Sequence, residues 1–352
     1  MLSFARGLSA RSVMALSLVA FAVACSKDAS TITASAPAAE SPAGETPEDV
    51  SLAVLPIASF INPIAGSGFW ADPYSNAART AAAWRVSSPA DAAQMDKLAR
   101  EGSARWIGNW NANVQSDVDA ATTTMTAAGK VPVFVAYNIP QRDCGGLSGG
   151  NSTAPAAYRS WVTAFANGIG ARPAVVVLEP DALAAMDCLS SADRQTRLSL
   201  MKDAVQAFAS KGNVTIYLDA GHPRWKSAST MAARLINAGV AQTQGFSLNV
   251  SNFHPTSDNV AYGTQISNLV GGKHFIVDTG RNGLGPTADF QWCNPAGRAL
   301  GYRPTTTTGI PLVDAYMWIK TPGESDGACN GNPSAGVWMP SYALGLAQRA
   351  AY

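Results

Sequence analysis

Acidic side chains stand where five apolar segments of this chain end. The apolar segments begin near residues 131, 174, 214, 274 and 315, and the acids are Asp143, Asp181, Asp219, Asp278, Glu324 and Asp326. A carboxyl group beside buried apolar surface keeps its proton above the ordinary pKa of about 4. One protonated carboxyl among ionised ones is the set that general acid–base catalysis needs. The pattern therefore predicts acid–base chemistry.

The apolar segments have the length of buried strands, and helical patterns separate them. These patterns cover 91–102, 156–170, 193–212 and 229–239, and three of them end at or near a glycine that can cap a helix. Alternating strands and helices indicate a parallel sheet. About six to eight strands favour a closed or nearly closed barrel, although an open doubly wound sheet stays possible. In a parallel barrel the active site lies at the carboxyl ends of the strands, so we expect the acids to meet there.

The composition argues against several classes of function. With 352 residues, 47% of them hydrophobic and 14% charged, the chain can bury the core of one large domain. The formal net charge of +1 gives no sign of a nucleic-acid partner. The sequence has no GxGxxG after its first strand, no P-loop and no GxSxG, and its three histidines are widely separated. We therefore expect no nucleotide and no zinc.

The N-terminus predicts export. Arg6 and Arg11 precede an apolar stretch and then small residues, which is the order of a secretory signal peptide over residues 1–24. AVAC resembles a bacterial lipoprotein box, with Ala22 where leucine is favoured, so we expect Cys25 to be lipidated. The alternative is an ordinary signal peptide cleaved near Cys25. The product would be a cell-envelope lipoprotein in the first case and a secreted extracellular protein in the second.

The remainder of the chain divides into a tether and one domain. Residues 25–54 are rich in Ala, Ser, Thr, Pro and Glu, a composition that predicts a flexible tether, and 55–352 form the folded domain. Besides Cys25, the chain has four cysteines, which suggests two disulfides, although sequence alone permits three pairings. The four are Cys144, Cys188, Cys293 and Cys329.

Two strand ends combine acids with other functional groups. Tyr137 and Asp143 precede a glycine-rich loop whose backbone could approach a sugar, although Asp143 could simply pair with Arg142. Asp181 follows a run of valines and could hold a proton for a departing sugar oxygen. Alternatively, Asp181 could serve as a helix N-cap. Glu179 should point to the opposite side of its strand.

The segment after the last strong strand carries a cation and two acids. Lys320, Glu324 and Asp326 could hold sugar hydroxyls and orient a water, or Lys320 and Glu324 could form a solvated ion pair. Tryptophans, including Trp70, could stack on sugar rings through their large apolar planes, although each is as easily a core residue.

The ordered motifs closely resemble glycoside hydrolase family 6, the cellulases with a distorted barrel. The resemblance covers nearly everything from about Phe60 to the C-terminus, and it is carried by YNIPQRDCGGLSGG, LEPDAL, YLDAGHPRW, NVSNF, DTGRNG, QWCNPAGRALG and WIKTPGESDG. It implies an α/β fold with a distorted, partly open parallel (β/α) barrel. It also implies hydrolysis of β-1,4-glucosidic bonds with inversion, without metal or organic cofactor.

The resemblance assigns roles residue by residue. It makes Asp181 the general acid and gives Asp143 the task of raising the pKa of that acid and placing the water. Tyr137 would distort the sugar ring, Ser148 would contact the water, and Asp326 falls on the debated base. Asp219 and Asp278 would be structural or supporting. The substrate contacts would come from Lys320, Glu324, Trp70, Trp225, Trp292, His222 and Asn252.

The resemblance also bears on the cleft. It pairs Cys144 with Cys188 and Cys293 with Cys329. Both intervals are short, which predicts an open cleft and internal cleavage of β-1,4-glucan chains. We expect the protein to be a monomer. Three alternatives stay open: an exo-acting cellobiohydrolase of the same family, a non-catalytic glycan-binding lipoprotein, and an enzyme for another polysaccharide such as mixed-linkage glucan or xylan.

Overall fold

The computed structural model of the protein describes residues 61–146 and 154–352. The predicted signal peptide, Cys25, the tether and Ser148 lie outside the described residues, so their predictions stay untested. No helix within the described ranges is long and apolar enough to cross a bilayer.

Seven parallel strands form one sheet in which each strand pairs with the next along the chain. The strands are Arg105–Gly108 (β1), Val133–Tyr137 (β2), Ala174–Leu178 (β3), Val214–Asp219 (β4), Gly245–Leu248 (β5), His274–Asp278 (β6) and Val313–Met317 (β7). The sheet curls until β1 approaches β7, where the described residues pair only at a bridge between Ser103 and Trp318. The backbone N–H of Ala104 donates to the carbonyl of Trp318 at 2.9 Å across this seam. The prediction of a distorted, partly open parallel barrel is confirmed.

Helices cover the outside of the sheet and connect its strands. They are Asn76–Trp84 (α1), Pro89–Ala99 (α2), Val114–Ala127 (α3), Pro155–Ile169 (α4), Ser191–Ala209 (α5), Ala228–Asn237 (α6), Thr256–Leu269 (α7) and Pro340–Gln348 (α8). Each of the four helical patterns corresponds to a helix, displaced by a few residues at most. Local chemistry sets several starts: the side chains of Asn113 and Ser190 accept backbone N–H groups at the first turns of α3 and α5.

Side chains of each strand alternate between two cores, as the two-residue period of a strand requires. In β2, Phe134 and Ala136 pack outward against the helices, whereas Val133, Val135 and Tyr137 face the barrel interior. Tyr137 is the last residue of β2 and therefore stands at the carboxyl end of the barrel. The interior is largely apolar, and the polar groups collect where the strands end.

One acid lies inside the barrel, in the first half of β7. A β-bulge between β6 and β7 shifts the register, and Asp314 is fully buried there. Its carboxylate accepts the Tyr217 hydroxyl at 2.7 Å and the Gln244 amide at 2.9 Å, and it lies 2.7 Å from Nδ1 of His274. The chain sequence around Asp314 reads as an apolar strand, and we did not predict this network.

Candidate active site

The acids that end the apolar segments converge at one end of the barrel. Asp143 follows β2, Asp181 follows β3, and Asp219 and Asp278 close β4 and β6, while Glu324 and Asp326 follow β7. Because all seven strands are parallel, these positions share the carboxyl face. The acids therefore lie at the end of the barrel where the sequence pattern placed them.

Asp181 lies in a strained and partly buried position just beyond β3. Its backbone has a φ of 71°, which is uncommon for a residue other than glycine, and its N–H donates to Oδ1 of Asp219 at 3.0 Å. Burial raises the pKa of Asp181 well above its ordinary value, and the charges of Asp219 and Asp143 add to the increase. Residues 181–185 form turns and no α-helix begins there, so the alternative of a helix N-cap is wrong.

Asp219 stabilises the backbone of Asp181 through the hydrogen bond from the Asp181 N–H. It is 1% exposed and also accepts the N–H of Gly221 at 3.0 Å and the hydroxyl of Ser247 at 3.1 Å. Burial raises the pKa of Asp219 to about 6 against the lowering effect of these donors. Asp219 thus fixes the Asp181 backbone and, when ionised, makes the Asp181 proton harder to lose.

The loop after β2 carries Tyr137, Arg142 and Asp143. The Tyr137 ring meets Trp106 edge-on at 5.2 Å between centroids, and the Arg142 guanidinium lies over the Tyr137 ring at 4.4 Å. Arg142 also donates to the Tyr137 carbonyl at 2.8 Å and to the Asn109 side chain at 3.1 Å. Asp143 has a φ of 52° and is partly exposed. It follows Arg142 directly, and the hydrogen bonds of Arg142 stabilise the conformation of this loop.

Lys320 and Glu324 occupy the loop after β7. The Lys320 ammonium donates to the carbonyl of Ser325 at 3.0 Å and lies 5.9 Å from the centre of the Trp106 ring. Burial lowers the pKa of Lys320, and burial raises the pKa of Glu324 although Lys320 opposes that effect. Trp106 therefore lies next to both Tyr137 and Lys320.

Asp326 is held by an arginine that we did not predict. Two nitrogens of Arg281 contact its two carboxylate oxygens at 2.8 and 2.9 Å, and the Asn294 N–H donates to Oδ2 at 2.9 Å. Both side chains are almost fully buried, and Asp326 raises the pKa of Arg281. The motif DTGRNG contains Arg281, and the need of a buried acid for a cation was the signal that could have identified it.

Asp278 joins three loops of the carboxyl face. Its carboxylate accepts the backbone N–H groups of Ser251 at 3.0 Å, Gly280 at 2.9 Å and Lys320 at 2.9 Å. These donors belong to the segments after β5, β6 and β7. Burial raises the pKa of Asp278 in spite of them.

Two of the predicted sugar-contacting tryptophans, Trp225 and Trp292, are at least partly exposed. Trp292 is 50% exposed, and Trp225 is partly exposed beside His222, with 5.4 Å between their ring centroids. The His222 ring also stacks on His254 at 4.2 Å, and burial lowers the pKa of His222 to about 3.

The remaining predicted contacts are more scattered. Trp70 lines a cavity at the seam together with Phe69, Ser103 and Trp318. Asn252 is partly exposed after β5, where its side chain accepts the N–H of Phe253 at 2.9 Å.

Two disulfides join loops of this face. Cys144 is bonded to Cys188 and Cys293 to Cys329, which confirms the pairing implied by the resemblance. The first bond connects the segments that carry Asp143 and Asp181, and the second connects those that carry Trp292 and Asp326. Among the residues that the structure describes, no group of three or more His, Cys, Asp or Glu side chains is arranged to hold a metal ion.

A parallel barrel whose carboxyl face combines a proton-holding carboxyl, further acids and exposed aromatic planes belongs to the class of acid–base glycosidases. Residues 64–350 match the model of the glycosyl hydrolases family 6. The chain belongs to this family.

Similar proteins carry consistent names. Endoglucanase A of Cellulomonas fimi is 45% identical, and the match covers 81% of this chain and 62% of that protein. Endoglucanase 1 of Streptomyces halstedii is 41% identical, and the match covers 83% of this chain and 95% of that protein. The solved structure of the endoglucanase Cel6 from Mycobacterium tuberculosis, in complex with a methyl-cellobiosyl-4-deoxy-4-thio-β-D-cellobioside, is 45% identical. It has a TM-score of 0.78 and covers 82% of this chain and 99% of its own. Fungal proteins named probable 1,4-beta-D-glucan cellobiohydrolase C also match, at 28 to 30% identity.

Proposed function

We propose that the protein is an endo-β-1,4-glucanase that cleaves internal bonds of cellulose or soluble β-glucan with inversion. The observation that carries the proposal is the position of Asp181 at the carboxyl face of a family 6 barrel, where burial and the charges of Asp219 and Asp143 raise its pKa. The names of the relatives support it, because the matches of 39 to 45% identity are called endoglucanases and those called cellobiohydrolases are less similar.

In the proposed reaction Asp181 is the general acid. Its raised pKa keeps the proton on the carboxyl until the glucosidic oxygen departs, when the proton moves to that oxygen. In an inverting enzyme a water attacks the anomeric carbon from the opposite face of the sugar. Tyr137, held by Arg142 and Trp106, would favour a distorted sugar ring, and Ser148 would contact the water.

The proton of the water is proposed to leave towards Asp143, with Asp326 as the second candidate. Both oxygens of Asp326 already accept hydrogen bonds, from Arg281 and from Asn294. To act as a base, Asp326 would have to weaken a buried ion pair, and this geometry favours Asp143.

The remaining side chains are proposed to bind the glucan. Lys320 and Glu324 would hold sugar hydroxyls beside Trp106, and the exposed plane of Trp292 would stack on a sugar ring. Trp225, His222 and Asn252 would extend the binding surface, and Trp70 would bind at the seam of the barrel. The reaction as proposed uses no metal or organic cofactor.

The lengths of the two disulfide loops support internal cleavage. The bonded cysteines are 44 and 36 residues apart in the chain, which leaves little chain to close over a glucan. An open cleft would admit a chain sideways. The exo-acting alternative would require these loops to enclose the substrate.

We propose that the enzyme is exported as a monomer. Two disulfides are typical of exported proteins. Residues 1–24 would be the signal peptide, Cys25 the lipidated first residue and 25–54 a tether to the catalytic domain, with free secretion as the alternative. Replacing Cys25 by Ser should move the protein from the membrane fraction to the soluble fraction, and a wild-type protein that is already in the soluble fraction would support free secretion.

The test of the reaction compares two substrates in the variant Asp181→Ala. With carboxymethylcellulose, the wild type should lower the viscosity quickly while few reducing ends form, and the variant should lose at least about 100-fold of this activity. With 2,4-dinitrophenyl β-cellobioside, whose leaving group needs no proton, the variant should keep most of the wild-type rate. Equal losses on both substrates would refute the role of the acid, and reducing ends without a viscosity change would favour the exo alternative.

A further inference from the structure

Two neighbouring loops of the active site contain an unusual number of strained residues. One loop follows β2 and the other follows β3, and both carry non-glycine residues with positive φ: Gln141 at 55°, Asp143 at 52°, Cys144 at 49°, Glu179 at 51° and Asp181 at 71°. Such a conformation is unfavourable for a residue other than glycine and persists only where the surroundings impose it. The two proposed catalytic acids are among these residues, so other groups must hold their backbone.

A single buried arginine contacts both loops. Arg197 projects from α5 and is 2% exposed. Its Nη1 donates to the carbonyl of Ala182 at 3.0 Å, which directly follows Asp181. Its Nη2 donates to the carbonyls of Pro140 and Gln141, both at 2.8 Å, shortly before Asp143. One rigid, planar guanidinium thus connects the backbones that carry Asp181 and Asp143.

A buried glutamate makes a second connection between the same loops. Glu179 is fully buried two residues before Asp181 and accepts the N–H of Asn138 at 2.9 Å and that of Ile139 at 3.0 Å. The Arg197 charge also interacts with Glu179. Neither residue has an exposed atom that could reach a substrate, so their effect on the reaction must pass through the loops.

Resting on the proposed function, we infer that Arg197 and Glu179 are positioning residues that set the separation and orientation of Asp181 and Asp143. The Cys144–Cys188 bond joins the same loops directly after Asp143 and beyond Asp181. The disulfide limits how far the loops can part, whereas Arg197 holds the backbone that leads into Asp143 and the carbonyl that follows Asp181. A displacement of about 1 Å between catalytic groups can cost about 100-fold in rate.

The chain offers a matched control in Arg234 of α6. Arg234 is also buried, and its Nη1 donates to the carbonyl of Leu183 at 2.8 Å. Within residues 61–146 and 154–352, its other hydrogen bonds go to Ala184 and Asp187 of the same loop after β3. Removing Arg234 should disturb the acid alone. Removing Arg197 should disturb both the acid and the groups that place the water.

The experiment measures kcat and KM of Arg197→Met, Arg197→Lys and Arg234→Met on cellotetraose and on 2,4-dinitrophenyl β-cellobioside. Arg197→Met should lose about 100-fold in kcat on both substrates with KM within about threefold, and Arg197→Lys should lose about 10-fold. Arg234→Met should lose activity on cellotetraose only. Three results would overturn the inference. They are a higher KM with an unchanged kcat, the same substrate pattern in both methionine variants, and a kcat of Arg197→Met within threefold of wild type.

Hydrogen–deuterium exchange of the same variants gives a measurement that needs no activity. Arg197→Met should exchange faster in both 138–146 and 179–188, and Arg234→Met only in 179–188, while β4 and β5 keep their protection. Unchanged exchange around 138–146 in Arg197→Met and Arg197→Lys would refute the connection between the loops even if the protein proved inactive on glucans. Faster exchange there without any loss of kcat would refute the positioning role.

Discussion

The Arg281–Asp326 pair allows a quantitative test of how the loop after β7 is held. The side chains are 1% and 5% exposed, and two nitrogen–oxygen contacts of 2.8 and 2.9 Å join them. At an effective dielectric constant of about 20, unit charges about 4 Å apart attract by about 4 kcal/mol. Replacing Arg281 by Met would leave Asp326 buried with the Asn294 N–H as its donor, and such a loss costs about 3 to 5 kcal/mol.

Thermal and urea denaturation should show this cost directly. At about 2 °C per kcal/mol for a domain of this size, Arg281→Met should lower Tm by about 6 to 10 °C. The double variant Arg281→Met with Asp326→Leu removes both charges and should recover most of the lost stability. Arg159→Met is the control: its ion pair with Asp203 is as short, at 2.6 Å, but the two side chains are 44% and 37% exposed. That control should lose less than about 1 kcal/mol.

Two results would refute this reasoning. A fall in Tm of less than about 2 °C for Arg281→Met would mean that the loop relaxes and lets water reach Asp326. A double variant as unstable as the single variant would mean that the stability comes from the packing of Arg281 over the Phe253 ring, which lies 4.4 Å from its guanidinium, and not from the charge pair.

Two further predictions concern pH. Asp219→Asn keeps an oxygen for the N–H groups of Asp181 and Gly221 but removes a charge that raises the pKa of Asp181. The alkaline limb of kcat/KM on cellotetraose should therefore move to lower pH, and a limb that stays in place would contradict this. Burial lowers the pKa of His254 to about 4, so between pH 4 and 6.5 this residue binds more protons in the unfolded state than in the folded state. The free energy of unfolding should therefore fall by about 1 to 2 kcal/mol from pH 7 to pH 5 through this residue. His254→Phe cannot be protonated and should show a smaller decrease in unfolding free energy over that range by urea titration, and an equal decrease in both proteins would exclude His254 as the cause.

The sequence predicted the acids better than the groups that hold them. Asp143, Asp181 and Asp326 could be found because each follows an apolar strand, and parallel strands bring such positions to one face. Arg197 could not be found in this way, because an arginine within the helical pattern of 193–212 looks like a solvent-exposed residue until the helix packs against the loops. Asp314 was missed for the opposite reason, since its segment is otherwise apolar and only the β-bulge explains a buried carboxylate there.

Backbone strain was equally invisible in the sequence. Glycine marks positive φ where it occurs, but Glu179 and Asp181 adopt such angles without being glycine. Their conformation depends on partners that lie about 40 residues away in the chain, such as Asn138 for Glu179. Local preference would have placed both residues in ordinary extended or helical backbone.

The order of the strands has a consequence for how the chain folds. Every strand pairs with its successor, so each of these pairings joins strands that are neighbours along the chain, and the bridge between Ser103 and Trp318 joins the first part of the sheet to the last. Pairings between near segments form faster than those that must close a long loop. A chain that emerges N-terminus first can therefore assemble its sheet strand by strand. The seam can close only after β7 has arrived, and Lys320 and Trp106, which meet across it, come together in that final step.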